Sequence, residues 1–448
     1  MPFPRWFQFV WITLILLPAW RRRRLARALE RLGPSFIKLG QTLSTRADLL
    51  GEALALDLAQ LRDRLPPFPA RIARRIVTEE LGQDMEQLFA AFDDVPVAAA
   101  SIAQVHKARL PDGRAVAVKI LRPGIEKAFA RDFRFFLWAG RVLERRFPST
   151  RRLKPLEVVG VLVNTVRFEL DLRYEAAAMA EIAENMRNDG EFRVPRVEWR
   201  MASQKVLVSE WVDGIPIHET EALIAAGFDP NALLARLSEV FFLQAFRDGF
   251  FHADLHPGNL FVDAKGHIVA VDFGITGRLD WKTRLYMAEI FRGFLTEDYR
   301  AVAEAHFKAG YVPRHQSVAQ FTQACMAIAK PILGRPAQEV SVAKLLAQLL
   351  QVTETFEMET QPQLLLFQKT LVVVEGIGRM LNPNVNMWEM ARPPIEAWAA
   401  EHLGPLGKTR RAWREANEMF RLLPEALREA AWRMEERMMR TPEERSSE

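Results

Sequence analysis

Apolar residues recur at two spacings along this chain of 448 residues, and the change of spacing divides the chain into regions. Over residues 25–94 leucine and phenylalanine return every three or four positions, which predicts amphipathic helices interrupted by three prolines near residue 67. The repeat is carried first by Leu25, Leu29, Leu32 and Phe36, and then by Leu49, Leu50, Leu54, Leu58 and Leu61. This region is therefore expected to be a helical extension.

Strand patterns begin after residue 95. Two apolar segments flank the turn Pro111-Asp112-Gly113-Arg114, which is typical of a hairpin. The predicted order is strands over 101–110 and 115–121, one long helical region over 125–187, a strand over 205–212, a helix over 230–249, short strands over 260–262 and 268–271, and helices thereafter. This order predicts an α+β fold of two lobes.

The expected lobes span residues 95–213 and 214–400, followed by an amphipathic helical tail over 401–448. Apolar residues make up 49% of the chain and charged residues 26%, which is ordinary for a folded protein. A single cysteine excludes internal disulfides and cysteine-cluster metal sites. The net charge of +5, from 61 basic and 56 acidic residues, gives no reason to expect a nucleic-acid partner.

The strongest chemical signal is Asp254, Asn259 five residues later, and the triplet Asp272-Phe273-Gly274. Phosphoryl transfer needs an oriented nucleophile and metal ions that neutralise charge on the transferring group. An aspartate can orient the attacking hydroxyl, and the asparagine and second aspartate supply the hard oxygen ligands that magnesium prefers. Asp254 is thus a catalytic candidate, and Asn259 and Asp272 are metal-ligand candidates. His252 and His256 also suggest zinc, but no third ligand stands out.

A lysine on an apolar strand supports the same chemistry. Lys119 ends the sequence Val-Ala-Val-Lys, and a buried ammonium requires a partner. In kinases such a lysine pairs with the α- and β-phosphates and is held by a helix glutamate, for which Glu175 is the candidate. Glu210 and Val212, at the end of the strand that closes this lobe, are further candidates for nucleotide binding.

The segment before the hairpin departs from an ordinary kinase, whose nucleotide loop is rich in glycine. Here the loop is Ala98, Ala99, Ala100 and Ser101. Alanine resists positive φ, so backbone amides cannot wrap phosphates as glycine permits. These four residues are still expected to cover the nucleotide, in a stiffer loop that binds it differently.

Over residues 30–390 the chain resembles the UbiB/AarF family of atypical kinases, associated with ubiquinone biosynthesis. The resemblance rests on the alanine-rich loop, on the segment Lys38-Leu39-Gly40-Gln41 that matches the K-x-G-Q signature, on Glu169 and Asp171 ahead of the helix glutamate, and on residues 369–383. It implies a kinase fold in which the helix of Lys38, Gly40 and Gln41 covers the protein-substrate site, with Lys38 meeting Glu169 and Asp171. It further implies an enzyme that uses ATP and Mg²⁺ in a lipid-linked process.

Both ends of the chain bear on membrane contact. Residues 6–20 are almost wholly apolar and precede four arginines. This apolar segment is too short to span a bilayer as a helix, and it fits either a core helix or an anchor that rests on the membrane. The family commonly ends in transmembrane helices, whereas residues 408–440 form an amphipathic pattern that fits packing on the large lobe or lying on a membrane. The expected location is the cytoplasmic face of a bacterial inner membrane. The expected partners are a membrane lipid or polyprenyl quinone precursor and other enzymes of quinone biosynthesis.

Two other functions fit part of the pattern. A small-molecule phosphotransferase of the aminoglycoside or choline kinase type has a loop similar to residues 254–259, but the alanine-rich and K-x-G-Q segments count against it. A nucleotide-gated scaffold that organises biosynthetic enzymes without turnover is the second alternative. The sequence favours an ATP-binding atypical kinase or ATPase that supports ubiquinone biosynthesis.

Overall fold

The computed structural model describes residues 25–44, 57–58, 61, 65–146, 155–331, 348, 351–353, 355–358, 361–382 and 387–404. The apolar and basic segment 1–24 and nearly all of the tail 401–448 lie outside these residues, as do Leu49, Leu50 and Leu54. The membrane-anchor predictions for both ends therefore stay predictions. No helix in the described ranges has the length and apolar character needed to cross a bilayer.

A six-stranded sheet forms the first lobe. Its order is β1–β3–β4–β7–β6, with β2 paired to β3. The strands are β1 (Ala91–Phe92), β2 (Ala98–Ala99), β3 (Ala103–Arg109), β4 (Ala115–Leu121), β6 (Val197–Ala202) and β7 (Val206–Glu210). The predicted hairpin is confirmed: β3 and β4 are antiparallel with Ala103 opposite Leu121. One face of this sheet buries Val118 and Ile120 against helix α3 (Ala70–Leu81) and the short helix α4 (Met85–Leu88).

The helical region predicted over 125–187 is helical in the structure and is divided into separate helices. Three helices are present: α5 (Ile125–Arg146), α6 (Pro155–Glu169) and α7 (Leu172–Asn185). Asp171 separates the last two because its carboxylate accepts a hydrogen bond from the Arg173 N–H and caps α7. The backbone of Asp171 is extended, with φ −133° and ψ 98°, so it cannot continue α6.

The second lobe combines a small sheet with helices. The order β5–β11–β10–β8 joins Phe192–Arg193, Ile268–Ala270, Leu260–Asp263 and Gly214–Pro216, and β9 (Phe250–His252) pairs with β12 (Thr276–Arg278). The helices are α8 (Thr220–Ala225), α9 (Pro230–Phe242, continued as a π-helix over Leu243–Asp248), α10 (Trp281–Leu295), α11 (Tyr299–Lys308), α12 (Val318–Ala329), α13 (Pro362–Leu381) and α14 (Met387–Leu403). The main hydrophobic core runs continuously through both lobes.

The N-terminal extension packs on the first lobe. Helix α1 (Leu25–Leu32) ends at Gly33, whose φ of +105° is left-handed, and α2 (Pro34–Ser44) then begins in a new direction. The ring of Phe36 in α2 meets Phe136 of α5 edge to face at 4.9 Å between centroids. Beside it, the buried Ser35 hydroxyl donates to the Asp132 carboxylate at 2.7 Å. Both contacts hold α2 against α5.

Candidate active site

Lys119 lies at the centre of the site because of the alternation along β4. Val118 and Ile120 face α3 and are fully buried, so the side chain between them projects from the opposite face of the sheet. There its Nζ atom lies 2.8 Å from Glu175 Oε1 and 2.8 Å from Asp272 Oδ1. The structure thus brings three sequence-predicted residues together from strand, helix and loop.

Glu175 belongs to the buried face of α7. The Asp171 cap fixes the start of this helix, and Glu175 follows one turn later among Leu172, Ala176 and Met179. Its carboxylate also accepts from the backbone N–H of Phe273. The glutamate therefore connects the lysine of the first lobe to the Asp272-Phe273-Gly274 segment of the second.

The charges of this cluster reinforce one another. Burial disfavours the ammonium of Lys119, but the carboxylates of Asp272 and Glu175 outweigh burial and raise its pKa above the usual value. The charge of Lys119 in turn lowers the pKa of Asp272 to about 2. The charge of Lys38 contributes to the same lowering of this pKa. Asp272 is therefore ionised at neutral pH, as a metal ligand must be.

The catalytic-loop candidate is held by its neighbours. Burial lowers the pKa of His252, so its ring is neutral; Nδ1 accepts from the Asp254 N–H at 3.1 Å, and Nε2 donates to the Val271 carbonyl at 3.2 Å. The amide nitrogen of Asn259 donates to the Asp254 carbonyl at 3.1 Å, which leaves the amide oxygen as the atom suited to a metal. His252 is thus a structural part of the loop.

Asp272 follows a short hairpin that delivers it beside Asn259. The Val271 N–H donates to the Asn259 carbonyl at 2.9 Å, so the segments that carry the two candidate ligands are bonded together. Asp272 itself has φ +61°, an unusual conformation that aspartate tolerates better than most residues. Two hard oxygen ligands suit magnesium, which takes its remaining ligands from phosphates and water. No group of three or more histidine, cysteine, aspartate or glutamate side chains suited to a metal occurs among the described residues.

Lys369 is a site residue that the sequence analysis missed. It lies on α13, and its Nζ atom is 3.1 Å from Asp254 Oδ1. The two residues are 115 positions apart in the chain. A lysine in a helix carries no local signal of such a contact, so the packing of α13 on the second lobe was needed to find it.

The alanine-rich loop is attached to the sheet. Ala98 and Ala99 form β2 and pair with Val105 and Gln104, and the Ala100 N–H donates to the Ala103 carbonyl at 2.8 Å. The Ala100 carbonyl accepts from Arg122 Nε at 2.9 Å, a contact without a sequence signal. None of the four loop residues has a positive φ, so the loop uses only backbone conformations that alanine readily adopts. Ser101 is fully buried and lies inside the lobe.

Glu210 and Val212 lie at the end of β7, where the two lobes meet. The carboxylate of Glu210 is bonded to Arg193 at 2.6 Å, and its backbone N–H donates to the Arg196 carbonyl at 2.8 Å. Val212 is half-buried. The side chain of Glu210 is therefore committed to an ion pair that fixes the connection between the lobes.

The K-x-G-Q helix reaches the site through Lys38. Its Nζ atom lies 2.7 Å from Glu169 Oε2, and the side chains are only 10% and 9% exposed. Asp171, which the resemblance also places opposite Lys38, instead bonds Arg173 at 2.6 Å and caps α7.

Gly40 and Gln41, the other residues of the K-x-G-Q signature, lie on the same helix as Lys38. At Gly40 an added Cβ would lie 2.2 Å from Leu61 Cδ1 and 2.7 Å from Leu29 Cδ1, so glycine permits the close approach of α2 to these leucines. Gln41 is half-buried on the same helix.

A lysine held by a helix glutamate, an aspartate–asparagine loop and a hairpin that delivers a second aspartate define a protein-kinase-like phosphotransferase. The ABC1 atypical kinase-like domain matches residues 60–306, and the UbiB helical domain matches residues 325–386. The chain belongs to the ABC1/UbiB family of atypical kinases. The predicted kinase-like α+β fold with a helical C-terminal region is thereby confirmed.

Similar proteins agree with this assignment. A "Probable protein kinase UbiB" of Marinobacter nauticus is 44% identical over 86% of this chain and 72% of its own length. One of Pseudomonas aeruginosa is 42% identical over 88% of this chain and 75% of its own length. Among solved structures, the complex of Rv3197 with erythromycin from Mycobacterium tuberculosis gives a TM-score of 0.57 at 26% identity, over 81% of this chain and 90% of that one.

Proposed function

We propose that this chain binds ATP with magnesium between its lobes and turns ATP over, as a kinase or an ATPase, in support of ubiquinone biosynthesis. The observation that carries this proposal is that Lys119 Nζ lies 2.8 Å from Glu175 Oε1 and 2.8 Å from Asp272 Oδ1. This cluster supplies a cation for phosphates and an ionised ligand for a metal at the same point.

The remaining residues take roles around this cluster. Asp254 orients the attacking group, and Asn259 and Asp272 would hold magnesium, which neutralises phosphate charge when it is bound. Ala98, Ala99 and Ala100 cover the nucleotide, with the buried Ser101 at the end of their loop, and Glu210 and Val212 form the edge of the site between the lobes. These residues together supply the groups that phosphoryl transfer needs: one that orients the nucleophile, ligands for the metal and a cation for the phosphates.

The proposed acceptor is a lipid-linked molecule. Helix α2 is attached to the first lobe through the Lys38–Glu169 ion pair and the Ser35–Asp132 hydrogen bond. This attachment supports the expectation that α2 covers the site where a folded protein substrate would bind. A membrane lipid or polyprenyl quinone precursor, handled together with other enzymes of quinone biosynthesis, is the proposed partner. The proposed location is the cytoplasmic face of the bacterial inner membrane.

The decisive variant is Asp272→Asn, which removes the ionised oxygen but keeps the size of the side chain. The parent chain should gain thermal stability with ATP and MgCl₂ together, and the variant should lose this gain. Asp94→Asn is the control, because Asp94 forms an exposed pair with Arg74. A magnesium-dependent gain that survives in Asp272→Asn would contradict the metal assignment.

A cellular experiment tests the pathway. Deletion of the gene should lower ubiquinone content, and Asp272→Asn should fail to restore it. Full restoration by this variant would favour the nucleotide-gated scaffold. Rapid phosphorylation of a soluble alcohol or aminoglycoside by the purified chain would favour the small-molecule phosphotransferase.

A further inference from the structure

Helix α13 carries a basic residue from the helical domain into the kinase site. Phe367 anchors this helix: its ring stacks on Phe241 at 5.1 Å and meets Phe251 edge to face at 6.0 Å. Thr370, Val374 and Ile377 continue the fully buried face. Lys369 lies between two of these anchoring positions, so the place of its side chain is set by a well-packed helix.

The contact with Asp254 acts on a carboxylate whose main chain is already fixed. The backbone N–H of Asp254 bonds His252, and its carbonyl accepts from Asn259. The Lys369 ammonium, 3.1 Å from Oδ1, adds a third restraint, this time on the side chain. At 39% and 34% exposure both side chains remain in contact with water.

The loop itself supplies no such cation. Residues 254–259 read Asp-Leu-His-Pro-Gly-Asn, without lysine or arginine. The Nδ1 atom of His256 accepts a hydrogen bond from the Gly258 N–H at 3.1 Å, so this nitrogen is used within the loop. A site that transfers a phosphoryl group requires fixed positive charge where the nucleophile and the phosphoryl group meet. Among the described residues, Lys369 provides this positive charge beside Asp254.

We propose that Lys369 is a positioning residue for Asp254, by which the helical domain completes the catalytic loop of the kinase domain. This inference rests on the proposed function, since it concerns the turnover in which Asp254 takes part. The ammonium keeps the carboxylate oriented toward the attacking group. The helical domain thus contributes a residue to the active site.

Steady-state hydrolysis of ATP with MgCl₂ by the full purified chain tests the proposal. Lys369→Met should lower kcat by about 10- to 100-fold, because the Asp254 carboxylate samples unproductive orientations once the Lys369 ammonium is removed. The KM for ATP should stay within about twofold, since Lys119 and the metal ligands are intact. Lys369→Arg should restore most of the loss, because it returns the charge at a similar reach. Lys330→Met is the control, since Lys330 belongs to the same helical domain as Lys369 and forms an exposed pair with Glu297.

A merely structural role gives a different result. Thermal melting identifies any variant that is unfolded, and Lys369→Gln then replaces Lys369→Met as the test. In the Asp254→Asn background, Lys369→Met should have little further effect on kcat, because its action passes through that carboxylate. Additive losses in the double variant, or a parent-like kcat in Lys369→Met, would overturn the inference while leaving the proposed function intact. If the parent hydrolyses no ATP, the proposed function fails and this inference fails with it.

Discussion

Two lysines reach the candidate site from the two helical additions to the kinase domain, and they do so in different surroundings. Lys38 of α2 meets Glu169 with side chains that are 10% and 9% exposed. Lys369 of α13 meets Asp254 with side chains that are 39% and 34% exposed. A buried pair loses much stability when one partner is removed, because the other charge stays without compensation, whereas a hydrated pair contributes little. The first pair therefore suits a lasting attachment, and the second suits the positioning of a carboxylate that stays accessible to water and substrate.

The largest effect should come from breaking the buried pair. Lys38→Ala is expected to destabilise the packing of α2 on the first lobe by about 3–5 kcal/mol, because it leaves Glu169 buried and charged. The rest of the fold should remain, since Phe36 still packs on Phe136. Chemical denaturation monitored by circular dichroism measures the loss.

The same variant tests what the attachment does. With α2 loosened, nucleotide handling should change, autophosphorylation should rise, and quinone content in cells should fall. Lys38→Met combined with Glu169→Gln is the control for charge, because removal of both partners should recover much of the stability. Parent-like stability, phosphate incorporation and quinone levels in Lys38→Ala would show that Lys38 neither attaches α2 nor affects the site.

A steric change should loosen the same helix without altering any charge. Gly40→Val is expected to cost about 1–3 kcal/mol by overpacking, since even the first added carbon would lie 2.2 Å from Leu61 Cδ1. Gly160→Val on α6 is the matched control, because an added Cβ there meets nothing within 4 Å. Equal losses of stability in the two variants would assign the effect to helix propensity and not to packing of α2.

The alanine-rich loop should respond more modestly. Ala100→Gly is expected to change the ratio of ATP to ADP affinity by about fivefold, equivalent to about 1 kcal/mol, because glycine permits backbone conformations that alanine resists. Isothermal titration with each nucleotide measures the ratio. Ala309→Gly, at the end of α11, is the control. Unchanged affinities for both nucleotides in Ala100→Gly would show that this loop does not cover the nucleotide.

The sequence predicted the parts of the site that are set by local spacing. Lys119 follows from the hairpin pattern, and Asp254, Asn259 and Asp272 follow from one loop and one short hairpin. The structure brings Lys119 and Glu175 together as expected. The positions of these side chains could be predicted because strand alternation and turn length fix where such side chains point; their roles stay predictions.

Contacts between distant segments escaped the sequence analysis. Ser35 with Asp132 and Lys369 with Asp254 join residues 97 and 115 positions apart. A serine or lysine on a helix looks the same whether it faces solvent or another element, so only packing decides its partner. The division of residues 125–187 into three helices was also missed, although Asp171 ahead of α7 is a capping signal that the sequence already contained.

The smallest expected effect completes the contrast between the two lysines. Lys369→Met should change the free energy of unfolding by less than about 1 kcal/mol, because both side chains of its pair are hydrated and Asp254 regains water when the ammonium leaves. The aromatic contacts of Phe367 should keep α13 in place. Denaturation curves for Lys369→Met and Lys38→Ala, measured side by side with Lys330→Met as the exposed reference, give the comparison directly. A loss of stability in Lys369→Met as large as that in Lys38→Ala would mean that both lysines attach helices to the kinase domain.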